Sequence, residues 1–187
     1  MRRARRTILA VLLAQLCGVI VATPEARAAS TDQLVSDSNR ALQGLYAAQP
    51  QAAGLATRAK AILVFPKITK GAFIFGGQTG NGVLLVNGKP AGYYTIAADW
   101  IGLHFGGRPF SYALFILTDS ALKYLSRNGR WTVGAGPSVV VVSKELAGGI
   151  TSAVLRQDVY AFPFGPRGLM SGPGLKGSHI ARTTPSL

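Results

Sequence analysis

The chain has 187 residues and a formal net charge of +13, from 20 Lys and Arg residues against 7 Asp and Glu residues. This excess favours anionic partners such as phospholipid headgroups, envelope polymers or nucleic acid, although a soluble cationic surface without a partner gives the same composition. With one cysteine and two histidines, the chain cannot form an internal disulfide and has few ligands for a transition metal.

Residues 1–28 resemble a signal for export. Four arginines before position 7 precede an apolar stretch at residues 8–22, and Ala26-Arg27-Ala28 provides the small residues that a signal peptidase requires. The stretch is shorter than the roughly 20 residues of a membrane span. We therefore expect cleavage after Ala28 and a location in the periplasm or cell envelope, where a protein seldom meets nucleic acid.

The run Arg5-Arg6-Thr7-Ile8-Leu9 also resembles a twin-arginine signal. The alternative is an ordinary secretory signal that is rich in arginine, and both routes lead out of the cytoplasm. Cleavage would remove five Arg, one Glu and the only cysteine, which leaves 15 basic and 6 acidic residues and a net charge of +9. The remaining residues 29–187 are enough for one domain but not for two.

The first predicted elements of that domain are two helices. From Thr31 to Gln49, apolar residues recur at the helical period, and Ser30 or Thr31 can cap the first turn. Pro50 ends this amphipathic helix and opens a shorter one that runs towards Lys60.

Short β-branched or aromatic runs follow, separated by Gly, Asn and Pro, which is typical of strands. They lie at residues 62–65, 73–75, 83–86, 93–96, 110–117, 131–133, 138–142, 150–155 and 159–164. Asn87-Gly88 predicts a type I′ hairpin turn, because both central residues need a positive φ. A third helix is predicted from Asp119, as its cap, to Asn128-Gly129.

Glycines inside several of these strands let a sheet bend sharply or let another backbone approach closely. The sequence therefore predicts an α+β fold, in which N-terminal helices pack on a strongly curved, mostly antiparallel, barrel-like β-sheet. The chain ends in a glycine-rich tail at residues 168–177.

Two glycine-rich runs have patterns that are found in anion-binding loops. Residues 172–177 match the dinucleotide pattern G-x-G-x-x-G, but only ten residues follow, with no acidic residue among them, so we expect a turn. Residues 76–82 could form an anion-binding nest of backbone N–H groups, or a plain loop between strands.

The sequence shows no arrangement of catalytic or metal-binding residues. No two acidic residues of the domain have a spacing that places them on one face, and neither His104 nor His179 belongs to a metal-binding pattern. Asp119 is better explained as a helix cap, and Asp32 as a first-turn charge that faces the helix dipole. We expect no enzymatic activity, no cofactor and no metal; an enzyme would need a pocket in which one histidine meets an Asp.

Four basic residues bracket the first apolar run at residues 62–65. They are Arg58, Lys60, Lys67 and Lys70. Basic groups beside apolar ones are typical of a surface that binds a membrane, where the apolar groups enter the interface. The alternative is a buried strand whose flanking lysines are solvated, and the sequence leaves both open.

Three parts of the chain resemble the SYLF domain family. Residues 59–67 (AKAILVFPK), 70–73 (KGAF) and 80–84 (GNGVL) resemble its opening signature, and residues 131–134 (WTVG) with 136–138 (GPS) resemble its middle. Residues 168–178 (GLMSGPGLKGS) resemble its closing motif. The resemblance covers about residues 35–182, in the same order and with similar spacing.

The resemblance implies a domain that binds phospholipids through a basic surface and an amphipathic N-terminal segment. Some relatives bind actin, which does not transfer to an exported protein. Pro173 interrupts the closing motif, and Lys176 replaces an acidic residue that many relatives have. A general preference for anionic lipid therefore follows better than a preference for one headgroup.

Our hypothesis from the sequence is a non-enzymatic module that binds anionic phospholipid at a membrane surface. The expected contacts are Arg58, Lys60, Lys67 and Lys70, with Arg167, Lys176 and Arg182 as weaker candidates. The alternative is a structural or interaction protein of the cell envelope, whose basic surface binds a protein or an envelope polymer.

Overall fold

The computed structural model describes residues 24–70, 75–101, 109–142, 146, 156–166, 168–170 and 175–184. Within them the fold is α+β, with helices α1 (Pro24–Ala48), α2 (Pro50–Ala56) and α3 (Asp119–Asn128). Most of the expected leader, the expected strand at 150–155 and His104 lie outside the described residues.

Nine described strands form one sheet, which is strongly curved into a half-barrel. They are β1 (Ala61–Lys70), β2 (Phe75–Val86), β3 (Lys89–Ile101), β4 (Phe110–Ile116), β5 (Arg130–Thr132), β6 (Val139–Val141), β7 (Val159–Gly165), β8 (Gly168–Leu169) and β9 (His179–Thr183). The order across the sheet is β5-β9-β3-β2-β1-β4-β7-β6, with β8 beside β7. Only the β6–β7 pair among the described strands is parallel, so the predicted fold class is confirmed.

Both faces of the sheet are covered near its centre. Leu63 and Phe65 of β1 point to the concave face and Val64 points to the convex face, because side chains alternate along a strand. On the concave face, Trp131 of β5 shares a cluster with Val159 of β7, although these strands lie near opposite ends of the sheet. The curvature therefore wraps the sheet around the core on its concave face.

The convex face is covered by α1 and α2. Leu42 and Leu45 of α1 and Leu55 of α2 pack in one cluster with Phe115 of β4 and Phe162 of β7. Strand β4 is buried along its whole length as a result. A strand that is covered on both faces reads as a continuous apolar run rather than an alternating one.

The start of α1 differs from the prediction. The helix begins at Pro24, so Ser30 and Thr31 are internal residues rather than caps, and Asp32 is not in the first turn. Proline is well tolerated at the first helical position, and alanine favours helix in the residues that follow. No helix among the described residues is long and apolar enough to cross a membrane.

The glycine-rich run at 76–82 is part of β2 rather than a loop or an anion-binding nest. It pairs with β3 residue by residue, and Gln78 and Thr79 also pair with β1. A Cβ atom on Gly82 would stand 2.5 Å from Cδ1 of Phe65, and one on Gly80 would stand 2.7 Å from the carbonyl oxygen of Lys67. The glycines therefore permit close approach of β1 to β2, where β1 has a bulge between Val64 and Thr69.

Two local predictions can be compared directly with the structure. The Asn87-Gly88 turn is confirmed, with φ of 50° and 75° at its two residues. Helix α3 has its expected end at Gly129, where φ is 60°, but its cap is Thr118 rather than Asp119. Thr118 is extended and its hydroxyl accepts the Ala121 N–H at 3.3 Å, which leaves Asp119 as a first-turn charge.

Candidate functional site

The apolar run at residues 62–65 does not form a surface patch. Leu63, Val64 and Phe65 have no exposed area, because β1 lies in the middle of the sheet between β2 and β4. The structure therefore confirms the alternative of a buried strand, and Lys60 and Lys67 beside it are exposed. These apolar groups cannot enter a membrane interface while the domain is folded.

The four basic residues around that run are divided between the two ends of β1. Arg58 and Lys60 precede the strand and lie at the end of the sheet that contains the Asn87-Gly88 turn, which we call the hairpin end. Lys67 is seven residues farther along, or about 20 Å away along a strand. Lys70 ends β1 beyond it, but its side chain is outside the described set. The four residues therefore do not form one cluster.

The weaker candidates are also separated. Arg182 of β9 is in register with Tyr94, in the middle of β3, and its side chain extends towards Gly92, on the hairpin side of that register. Burial raises the pKa of Tyr94, and the positive charge of Arg182 partly offsets that rise. Lys176 is exposed in the turn before β9, towards the opposite end, and Arg167 is outside the described residues.

Helix α3 lies across the hairpin end. At the start of the helix, the Lys60 ammonium is 3.6 Å from Oδ2 of Asp119. At its end, the backbone N–H of Arg182 donates to the Gly129 carbonyl oxygen at 2.7 Å. Ala121 and Leu125 face the concave core, so the side that carries Lys123 and Arg127 is exposed.

The structure thus brings together a set of exposed cations that the sequence reasoning mostly missed. They are Arg58, Lys60, Lys89, Lys123, Arg127, Arg130, Arg156 and Arg182, which we call the basic end. Arg58, Lys60, Lys89 and Arg156 lie at or near the hairpin end, and Lys123 and Arg127 lie on α3. Arg130 and Arg182 lie beside the C-terminal end of α3, where the Arg182 backbone N–H bonds the Gly129 carbonyl oxygen. In the sequence, Lys and Arg recur near the ends of the predicted elements. Only the strand register shows which of these ends lie together.

Few carboxylates balance the basic end. The described acidic side chains there are Asp119, which faces Lys60, and Asp158. Asp158 accepts hydrogen bonds from the hydroxyl of Thr118 at 2.8 Å and from the N–H and hydroxyl of Ser138 at 2.9 and 2.8 Å. These bonds, led by the Ser138 N–H, lower the pKa of Asp158. Asp158 therefore stays ionised, but the eight cations outnumber the two described carboxylates, so the net charge of the described residues at this end is positive.

A groove runs beside the C-terminal half of α1 and opens near the basic end. We call it the helix groove; its volume is about 390 Å³ and its lining includes Asn39, Leu42, Gln43, Tyr46, Ala56, Thr57, Ala59, Ile62, Leu85 and Asn87. The floor is apolar, and polar side chains stand at the rim. Arg58 and Lys60 alternate with the lining residues Thr57, Ala59 and Ala61, and Lys89 follows the lining turn.

A second cleft, of about 470 Å³, lies on the other side of α1, towards Lys67. It is lined by Asp37 from the helix and by Thr79 and Asn81 from β2. Asp37 is already engaged, because it accepts from Arg40 at 2.7 Å and from Gln33 at 3.0 Å. Among the residues that the structure describes, the cleft therefore presents Lys67 and mainly neutral polar groups.

Catalytic geometry is not found in the part of the chain that the structure describes. His179 is exposed on β9, and its Nδ1 lies 2.9 Å from the Thr132 hydroxyl rather than near a carboxylate. No group of three or more His, Cys, Asp or Glu in that part could hold a metal ion.

No known protein family has a model that matches this chain, and no curated protein matches it. The geometry of the basic end and the helix groove is therefore the basis for a functional proposal.

Proposed function

We propose that this chain is a non-enzymatic module of the cell envelope that binds anionic phospholipid at a membrane surface. The observation that supports the proposal is the basic end, where eight exposed cations and two described carboxylates lie at one end of the half-barrel. The resemblance to the SYLF domain points to the same chemistry, and the proposal includes export through the leader at residues 1–28.

The charge of the basic end is sufficient for binding that depends on salt. Each Lys or Arg close to an anionic membrane contributes about 1 kcal/mol, and the contribution decays within a Debye length. The Lys60–Asp119 pair opposes this only slightly, since both side chains are more than half exposed and such pairs are worth about 1 kcal/mol or less. Lys67, Lys70, Arg167 and Lys176 are secondary in this proposal.

The test is flotation of the purified mature chain, residues 29–187, with vesicles, using charge reversals at the two ends of the domain. Lys123→Glu with Arg127→Glu removes two cations of the basic end, and Lys67→Glu with Lys176→Glu makes the same change in net charge elsewhere. We expect the first pair to weaken binding to phosphatidylglycerol vesicles by roughly tenfold or more, and the second by roughly threefold or less.

Two controls complete the test. Phosphatidylcholine vesicles and high salt should both abolish recovery of the wild-type chain in the floating fraction. Equal recovery on neutral vesicles, or an equal loss for the two charge-reversal pairs, would contradict the proposal.

A second candidate is a structural or interaction protein of the envelope. It is favoured by a row of exposed or partly exposed side chains on the convex face, which begins at the cleft beside α1 and crosses β1, β2, β3, β9 and β5. The row is Thr69, Thr79, Ala97, His179 and Thr132, paired from strand to strand. Retention of the chain in envelope fractions after lipid extraction would favour this candidate over lipid binding.

A further inference from the structure

The helix groove combines an apolar floor with positive charge at its rim. Its floor is formed by Leu42, Ile62 and Leu85, and its volume of about 390 Å³ is within the range of about 300–1,000 Å³ that small-molecule sites occupy. Three exposed cations, Arg58, Lys60 and Lys89, are adjacent in sequence to its lining residues.

The groove is open because its walls carry small side chains. Ala56 and Ala59 on one side and Gly88 on the other leave space above Leu42 and Leu85, which are almost fully buried beneath it. Tyr46, Ala56 and Ile62 are partly exposed along the groove, and an apolar chain placed there would remove their surface from water, whereas Leu42 and Leu85 have little exposed surface left.

The charge at the rim selects the end group of the occupant. None of the lining residues is acidic, and the one carboxylate known to lie nearby is that of Asp119, 3.6 Å from the Lys60 ammonium. A phosphate or carboxylate headgroup at the rim would meet Arg58 and Lys89 and would compete with Asp119 for Lys60.

We infer that the helix groove holds one acyl chain of an anionic amphiphile, with the headgroup against Arg58, Lys60 and Lys89. The inference rests on the proposed preference for anionic lipid and adds a defined position for a single lipid molecule. The acyl chain lies along α1, over Leu42, Ile62 and Leu85, and the headgroup of the amphiphile remains at the protein surface.

The test uses dodecyl phosphate below its micelle concentration, titrated into the full chain in a calorimeter. One molecule should bind, and decyl phosphate should bind roughly tenfold more weakly because two methylene groups are lost. Inorganic phosphate alone should show no saturable binding, and dodecylphosphocholine should bind at least roughly fivefold more weakly than dodecyl phosphate.

The groove is then filled without a change of charge. Ala59→Phe places a ring in the groove and should weaken dodecyl phosphate binding by roughly tenfold or more, whereas Ala47→Phe, on the exposed side of α1, should leave it within roughly twofold. Equal affinity of the two variants, or no saturable binding by the wild-type chain, would overturn the inference.

A second pair of substitutions avoids any dependence on the folding of the Ala59 variant. Arg58→Glu with Lys89→Glu changes two exposed side chains and should weaken binding of dodecyl phosphate by at least roughly fivefold, while binding of dodecylphosphocholine changes little. Wild-type affinity for dodecyl phosphate in this double variant would also overturn the inference.

Vesicle flotation separates this inference from the proposed function. If the chain floats with anionic vesicles but does not bind dodecyl phosphate, the groove inference fails and the membrane proposal stands. If dodecyl phosphate binds and Ala59→Phe prevents it, but anionic vesicles are not bound, the occupant is a free amphiphile and the membrane proposal fails.

Discussion

At the scale of single residues, Asp158 joins three parts of the fold that are distant in sequence. Its carboxylate accepts from Thr118, which is also the cap of α3, and from Ser138 before β6, while Asp158 itself precedes β7. The Asp158 N–H donates to the Ser138 hydroxyl in return, at 2.9 Å. The carboxylate therefore holds α3 and two neighbouring strands in register.

Replacement of Asp158 should lower stability in a way that depends on pH. Asp158→Asn keeps one acceptor oxygen but places an amide group among donors, and we expect a loss of about 1–2 kcal/mol in the free energy of unfolding near neutral pH. Because hydrogen bonds hold the pKa below its ordinary value of 3.8, the ionised group stabilises the fold above that pH. The contribution is lost as the pH falls through the lowered pKa.

Urea unfolding curves measured from about pH 7 down to about pH 2 check this expectation. The difference between wild type and Asp158→Asn should shrink steadily in acid. Asp32→Asn, on the exposed side of α1, is the control and should change stability by less than about 0.5 kcal/mol at every pH. A difference that stays constant with pH would show that the carboxylate charge is not responsible.

At the scale of elements, the close approach of β1 to β2 depends on the absence of a side chain at Gly82. Gly82→Ala would place Cβ 2.5 Å from the Phe65 ring and 2.6 Å from the Val64 carbonyl oxygen, both within the packed core. We expect a loss of about 2–3 kcal/mol, seen as a lower urea midpoint with an unchanged slope.

The matched control is the same substitution in α1. A Cβ on Gly44 would meet nothing within 4 Å, and alanine is the better helix former, so Gly44→Ala should gain about 0.5–1 kcal/mol. The two substitutions should therefore have opposite signs. A neutral Gly82→Ala would mean that β1 can move away from β2 at little cost.

Elements were predictable from the sequence where local chemistry decides them. The period of α1 and the Asn87-Gly88 turn are of this kind, because the signal and the structure involve the same few residues. Strand β9 was not predicted, since in residues 179–183 only Ile180 is buried and polar residues alternate with it. The prediction for residues 76–82 was wrong because a series of glycines, considered locally, indicates a loop. In the structure the run is a strand, in which the absence of a side chain at Gly82 leaves room for Phe65.

The basic end was only partly predictable for the same physical reason. Lys60 and Lys67 are near neighbours in sequence but lie about 20 Å apart along β1. Arg58 and Lys89, in contrast, are brought to one end by strand register, and Arg182 lies beside the end of α3, where its backbone N–H bonds the Gly129 carbonyl oxygen. Distance in the sequence was therefore a poor guide to which cations lie together. Two further cations, Lys123 and Arg127, lie on α3, and the search for basic residues beside an apolar run did not find them.

At the scale of the whole molecule, these positions predict how the domain meets a membrane. The basic end should face the bilayer, with α3 nearest to the headgroups and the far end of β1 away from them. Ser126 lies on the exposed side of α3, between Lys123 and Arg127, and Thr69 is exposed near the opposite end of β1. These two positions therefore report opposite ends of one rigid sheet.

The orientation can be measured with a fluorophore that responds to polarity, attached to Ser126→Cys or Thr69→Cys in a chain without the expected leader, residues 29–187, which has no other cysteine. We expect the label on α3 to shift to shorter wavelength with phosphatidylglycerol vesicles and the label on β1 to remain unchanged. The shift should disappear at about 1 M salt, where the Debye length falls to about 3 Å. Equal shifts at both positions would show that the domain has no preferred face, and that its net charge, rather than the arrangement of cations around α3, determines binding.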